Sequence, residues 1–162
     1  MSDAKVEKVP AEDLAATLNF LEETLRDHEP LPAAFVAELR ASVARGETDV
    51  FVARSANEVV GVAVVNHRLN ISAGGRFASI EEFQVRPEAR EKGMGRALLR
   101  AVTESCASRG ISYIEVQTDD EATGFYTSCR FEAEPEVRVM SVSTVLGNPQ
   151  AMQPVIKKLK RW

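Results

Sequence analysis

Between Ala11 and His28 the apolar residues Leu14, Leu18, Leu21 and Leu25 recur every three or four positions, with Glu12, Asp13, Glu22 and Glu23 between them. That spacing predicts an amphipathic helix rich in acid. Pro30 and Pro32 interrupt it, after which Phe35, Val36, Leu39 and Val43 repeat the helical period until Gly46 supplies a stop. The pattern then changes from period 3.6 to short β-branched runs. Asp49 to Arg54 and Val59 to His67, separated by Ser55-Ala56-Asn57-Glu58, predict an antiparallel hairpin. Beyond a Gly74-Gly75 breaker, Phe77 to Val85 predicts a third strand, ended by Pro87, which cannot donate to a sheet ladder.

Gly93 to Arg109 predicts the longest helix, with Met94, Ala97, Leu98, Ala101 and Val102 on one stripe and Gly110 as terminator. A strand over Ile111 to Gln117, a short helix around Ala122 to Cys129, and strands near Phe131 to Ala133 and Glu136 to Val145 follow. Strand, helix and strand in succession require one right-handed crossover and so at least one parallel pair, while the other connections are hairpins. The expected fold is therefore α+β, with a twisted, mixed and mostly antiparallel sheet of six or seven strands between helices, in three layers, α/β/α. Residues 1–147 form one expected domain, and 148–162 a basic tail ending Lys157-Lys158-Leu159-Lys160-Arg161-Trp162.

Composition narrows the function classes. At 162 residues, with 44% hydrophobic and 27% charged side chains, the chain has the make-up of an ordinary globular domain. Its charged start lacks the apolar core of a signal peptide, and no apolar run approaches bilayer length, so a cytoplasmic protein without membrane partners is expected. Cys106 and Cys129 have no CxxC spacing, and His28 and His67 stand alone, so no metal site is expected. Both cysteines read as packing residues. The net charge is -4, and residues 1–30 carry 3 basic against 8 acidic side chains. This argues against a nucleic-acid partner and for a cationic one.

Chemistry is concentrated in Val85-Arg86-Pro87-Glu88-Ala89-Arg90-Glu91-Lys92-Gly93-Met94-Gly95-Arg96, where a strand stops and the long helix begins. The first amides of a helix have no helical partners and lie at the positive end of its dipole, a geometry suited to phosphate. Gly93 and Gly95 admit close approach, and Arg90, Lys92 and Arg96 add positive charge. Neither the Walker pattern nor the three-glycine dinucleotide fingerprint is present; Leu98 stands where the latter needs its third glycine. Alone, the glycines also fit a plain tight turn.

Arg90-x-x-Gly93-x-Gly95, set between a strand and an amphipathic helix, resembles the acyl-CoA-binding motif of the GCN5-related N-acetyltransferase (GNAT) family. Ala122-Thr123-Gly124-Phe125-Tyr126-Thr127-Ser128-Cys129-Arg130-Phe131 resembles that family's second signature. The element order matches over roughly residues 45–145, and the specific motifs over 85–96 and 122–131. Two departures stand out: Arg130 replaces the usual glycine before the final Phe, and Asp119 stands where an asparagine is frequent. Arginine resists the positive φ that glycine would allow there.

The resemblance implies the acyl-CoA N-acyltransferase fold, acetyl-CoA as cosubstrate, and direct transfer of its acetyl group to a primary amine of a small molecule or peptide. It implies that the backbones of Phe83, Gln84 and Val85 hold the pantetheine arm by strand addition. The diphosphate would lie over the amides of Lys92, Gly93, Met94, Gly95 and Arg96, with Arg90 and Glu91 of the same loop also cofactor-binding. Aminolysis of a thioester needs a base for the amine and a proton donor for the thiolate. Glu81, then Glu82, are the candidate bases, since strand alternation sends them to opposite faces unless a bulge intervenes, and Tyr126 is the candidate donor. Alternatively, the glutamates solvate a strand end and Tyr126 is structural. His67 is a further candidate base, or a surface residue near a strand end. A non-catalytic acyl-CoA-binding regulatory module is the alternative function, favoured by Arg130. A homodimer is compatible with the basic tail.

Overall fold

The computed structural model describes residues 5–111 and 113–133. Its contacts divide the chain into two units, residues 1–117 and 118–162.

The first unit contains a five-stranded sheet in the order β1-β2-β3-β4-β5, formed by β1 (Lys5–Lys8), β2 (Thr48–Ser55), β3 (Glu58–Asn70), β4 (Gly75–Val85) and β5 (Ile114–Val116). The first four strands pair antiparallel; β4 and β5 pair parallel, as the crossover through helix α3 (Met94–Ser108) demands. The expected mixed, mostly antiparallel sheet is thus present, with five strands among the described residues. Residues 131–133 are not in a strand, and the expected strand at 136–145 lies outside the described residues, as does the tail at 148–162.

Alternation along β2 and β3 sorts the core into two faces. Val50, Val52 and Val62 pack with Leu14, Leu18, Phe20 and Leu21 from helix α1 (Ala15–Arg26) and its approach, and Val36, Leu39 and Val43 of helix α2 (Ala33–Ala44) cover the same cluster. The alternate positions, including Asp49, Phe51, Ala63, Val65 and His67, point to the side where α3 buries Leu98, Leu99, Val102 and Cys106. Sheet between two helical layers is the α/β/α sandwich expected.

Local chemistry sets the connections. The β2–β3 hairpin closes through Ala56 and Asn57 at φ 49° and 67°, the left-handed pair that matches strand twist in a two-residue turn. α1 ends on Asp27, also left-handed, whose N–H donates to the Glu22 carbonyl. β1 was not foreseen, since Lys5-Val6-Glu7-Lys8 offers one apolar residue and reads as a charged end. Such charge suits an edge strand, where it discourages pairing with another chain.

Candidate active site

β4 carries the candidate bases and the expected cofactor backbone, and its two edges behave differently. Against β3 it is paired from Asn70↔Gly75 to Gly61↔Val85, whereas against β5 the ladder among the described residues covers Ala78↔Ile114, Ser79↔Glu115 and Ile80↔Val116. From Glu81 onward β4 therefore runs beyond its parallel neighbour. An edge of this kind has the geometry for an extended ligand to lie as one more strand. Val85, the last residue of β4, has its carbonyl engaged by Arg90 Nε at 3.0 Å, which folds the loop back against the strand end.

A bulge intervenes at the glutamates. Val65 lies across from Ile80 and Val64 from Glu82, so Glu81 is the extra residue. Counting parity through the strand puts Glu82 on the face of Ile80; the bulge separates them. Ile80 lies with Val65 on the α3 side, while Glu82 and Gln84 lie with Val64 and Val62 on the α1/α2 side. Phe83, opposite Ala63, returns to the α3 side. Glu81 is exposed and Glu82 half-buried.

After β4, Pro87–Ala89 makes one 3₁₀ turn and the chain enters α3 through two left-handed residues, Glu91 at φ 62° and Gly93 at φ 80°. Gly93 is the N-cap and has no side chain to bond the first-turn amides. The first turn-closing bond runs from Ala97 N–H to the Gly93 carbonyl at 2.9 Å, so the amides of Met94, Gly95 and Arg96 lie ahead of it. No acidic residue stands in the first turn. A Cβ built on Gly93 would meet nothing within 4 Å, so the space above the tip is open. Arg90, Lys92 and Arg96 are exposed around it, and buried Met94 pins the helix start to the core. Dipole, amides and guanidinium groups together make this helix tip electropositive, the chemistry that suits an anion.

In the second unit, helix α4 (Asp120–Ser128) carries the Phe125-Tyr126 pair. Asp119 is its N-cap: Oδ1 accepts from the Ala122 N–H at 2.8 Å. Carboxylate serves as well as the carboxamide frequent at this place. Tyr126 is buried against Phe125 and Phe131, with ring centroids 5.1 Å and 5.7 Å away. Burial, with smaller contributions from the nearby Asp119 and Cys129, pushes its phenol up to about 12. The hydroxyl therefore stays protonated throughout the physiological range. Arg130 takes φ 70°, the conformation that a glycine would hold, so the substitution keeps the helix exit and costs local strain.

Residues 14–131 match the sequence model of the acetyltransferase (GNAT) family. The chain belongs to that family. Among curated proteins, glucosamine 6-phosphate N-acetyltransferase 1 of Oryza sativa subsp. japonica is 33% identical over 69 residues, 43% of this chain and 42% of that protein. The chain thus aligns with less than half the length of that relative. Among solved structures, an aminoglycoside acetyltransferase from an uncultured soil metagenomic sample, in complex with trehalose, superimposes with a TM-score of 0.75 at 24% identity, covering 89% of this chain and 97% of the other. A predicted acetyltransferase from Clostridium acetobutylicum, solved with acetyl-CoA, gives 0.68 at 15% identity over 85% and 96%. The fold is that of the GNAT acetyltransferases. No helix among the described residues is long and apolar enough to cross a membrane.

One cluster in this GNAT domain escaped the sequence reading. His67 is not a surface residue: its side chain is fully buried, and Nε2 lies 2.8 Å from Asp49 Oδ2. Arg109 Nη1, just past α3, donates to the same Asp49 oxygen at 2.9 Å and lies 3.0 Å from His67 Nε2, while its Nη2 donates to the Gly46 carbonyl at 3.0 Å. Lys8 Nζ approaches Asp49 Oδ1 at 2.6 Å. Burial pushes the Asp49 carboxyl up, but Lys8 and His67 outweigh it and hold the group below its ordinary range. Closed off from solvent, with Nε2 already engaged by Asp49, His67 is unsuited to act as a base on an incoming amine. Cys106 is buried beside this cluster, and burial followed by the Asp49 charge pushes its thiol up, which leaves it an inert packing residue.

Proposed function

We propose that this acetyltransferase moves the acetyl group of acetyl-CoA directly to a primary amine, without a covalent enzyme intermediate. One observation carries the reading: β4 outruns β5 at Ile80 and leads, within one short loop, into an open, cationic, glycine-capped helix tip. A molecule with an amide-bearing arm and a diphosphate matches both parts at once. In this reading the backbones of Phe83, Gln84 and Val85 hold the arm. Arg90, Lys92, Gly93, Met94, Gly95 and Arg96 hold the diphosphate, with Glu91 supplying the turn and its main-chain N–H.

The amine nitrogen attacks the thioester carbonyl, the C–S bond breaks, and the proton on nitrogen passes to Glu81 or Glu82 through water. Tyr126 donates a hydrogen bond to the departing thiolate. A phenol near 12 gives up its proton less readily than a thiol near 8.5, so it stabilises the thiolate by that bond while the proton comes from solvent. The names of the relatives, an aminoglycoside and a glucosamine 6-phosphate acetyltransferase, support a small-molecule amine over a peptide as acceptor. The non-catalytic alternative loses the feature that favoured it, because Arg130 holds the backbone conformation expected of glycine.

Release of free thiol from acetyl-CoA across an amine library tests this reading. Turnover with at least one amino sugar or other primary amine is expected, and Tyr126→Phe should lower kcat about tenfold, the worth of one hydrogen bond to a developing charge. Tight acetyl-CoA binding with no turnover on any amine would restore the regulatory alternative.

A further inference from the structure

Arg86 follows the last residue of β4 and precedes the proline that opens the cofactor loop. Its main-chain N–H donates to the Val60 carbonyl at 2.8 Å, and its Nε donates to the Val59 carbonyl at 3.3 Å. Its two terminal nitrogens fork onto Glu23 of α1, Nη1 to Oε1 at 2.7 Å and Nη2 to Oε2 at 2.9 Å, and the guanidinium lies over the Phe20 ring, 5.0 Å from its centroid. One side chain thus gathers α1, the start of β3 and the end of β4.

The strand end has need of such a tie. Its ladder with β5 runs to Ile80, and its ladder with β3 adjoins an irregularity: Ala53 pairs with Gly61 and Arg54 with Val59, leaving Val60 as an extra residue. The two backbones also approach closely, since a Cβ on Gly61 would lie 3.2 Å from the Gln84 carbonyl. Glu23 and Arg86 are both part-exposed, and pairs so open to water add little to stability. A two-pronged carboxylate–guanidinium pair does fix direction, because both planar groups are held in one relative orientation. The Arg86 bond also holds the Glu23 carboxyl below its ordinary range, so the pair stays charged through neutral pH.

We propose that Glu23, acting through Arg86, is a positioning residue for acetyl-CoA, holding the β4 exit and the loop after it in the geometry that grips the cosubstrate. The inference rests on the functional reading above, so its test has two arms, one of which needs no cosubstrate. In the first, hydrogen exchange is compared between wild type and Glu23→Gln; amides at positions 83–93 should exchange about tenfold faster in the variant while those of α3 beyond Leu98 are unchanged. Unchanged exchange at 83–93 overturns the clamp whatever becomes of the functional reading. In the second, the KM for acetyl-CoA should rise about tenfold in Glu23→Gln and in Arg86→Lys, which keeps the charge and loses the fork, with kcat within about twofold of wild type. The double variant should be no worse than either single one, as for partners in one interaction. Additive losses, or a fall in kcat with KM intact, would show a structural role and overturn the proposal. Faster exchange in Glu23→Gln, together with a wild type that neither binds nor turns over acetyl-CoA, would instead overturn the functional reading, and the positioning role with it.

Discussion

The two ends of α3 are built from the same helix and put to opposite uses. At the N-terminus, a left-handed glycine opens the tip, no acid stands in the first turn, and the surrounding cations are exposed. At the C-terminus, the guanidinium of the capping residue Arg109 joins Asp49 and His67 and helps close a buried cluster that Lys8 completes. A positive group at the negative end of a helix is favourable in itself. The contrast teaches that the helix dipole is matched internally at one end and offered outward at the other. Binding should depend on the first end and stability on the second.

The largest effect that would break this division is at the closed end. Asp49→Asn should destabilise the fold by about 3 kcal/mol, the low side for a broken buried ion pair because Lys8 and Arg109 keep access to water. Urea unfolding checks it, and the affinity of the folded protein for acetyl-CoA should not change. Gly95→Glu is the converse. Added bulk and negative charge at the tip should weaken acetyl-CoA binding on the order of a hundredfold in calorimetry, while the melting temperature holds or rises, since an acid in the first turn complements the dipole. Weakened binding in Asp49→Asn, or unfolding in Gly95→Glu, would erase the distinction.

Acid sharpens it further. The fold lowers the Asp49 carboxyl beneath its ordinary 3.8, so its stabilising contribution is whole above about pH 4 and is lost as pH falls through the lowered value. The unfolding free energy of wild type should therefore drop more steeply below pH 4 than that of Asp49→Asn, and parallel curves would show that the cluster is not coupled to folding. The smallest effects concern the left-handed backbone. Gly93→Ala, at φ 80°, should cost about 1 kcal/mol although its Cβ enters open space, and Arg130→Gly, at φ 70°, should return about as much or less. Differential scanning calorimetry resolves both. A neutral Gly93→Ala would mean that the tip does not need its present conformation.

The sequence disclosed the parts of this molecule whose determinants are local. The period of Leu14, Leu18 and Leu21, the turn residues at 55–58, and the strand, Pro87, Gly93 and helix succession are each written within a few residues, and the observed α1, hairpin and α3 follow them closely. The glycine-opened tip belongs to the same class. What stayed hidden depends on pairing across the sheet. The bulge at Glu81 arises from the register between β3 and β4, and nothing in Ile80-Glu81-Glu82-Phe83 marks which glutamate is the extra residue. Asp49, His67 and Arg109 stand 18 and 42 residues apart and meet only once β2, β3 and the end of α3 are assembled. A histidine that reads as a surface residue from its neighbours in sequence is in fact enclosed by neighbours in space. Two ordinary charged residues, Glu23 and Arg86, are likewise 63 positions apart.

Backbone amide shifts followed by NMR during an acetyl-CoA titration test the central claim most directly. Perturbations are expected to concentrate at residues 82–85 and 92–96, along the end of β4 and over the opening of α3, with the cluster around Asp49 and His67 silent. Saturable binding whose perturbations avoided 92–96, or gathered at the closed end of the helix, would contradict the account.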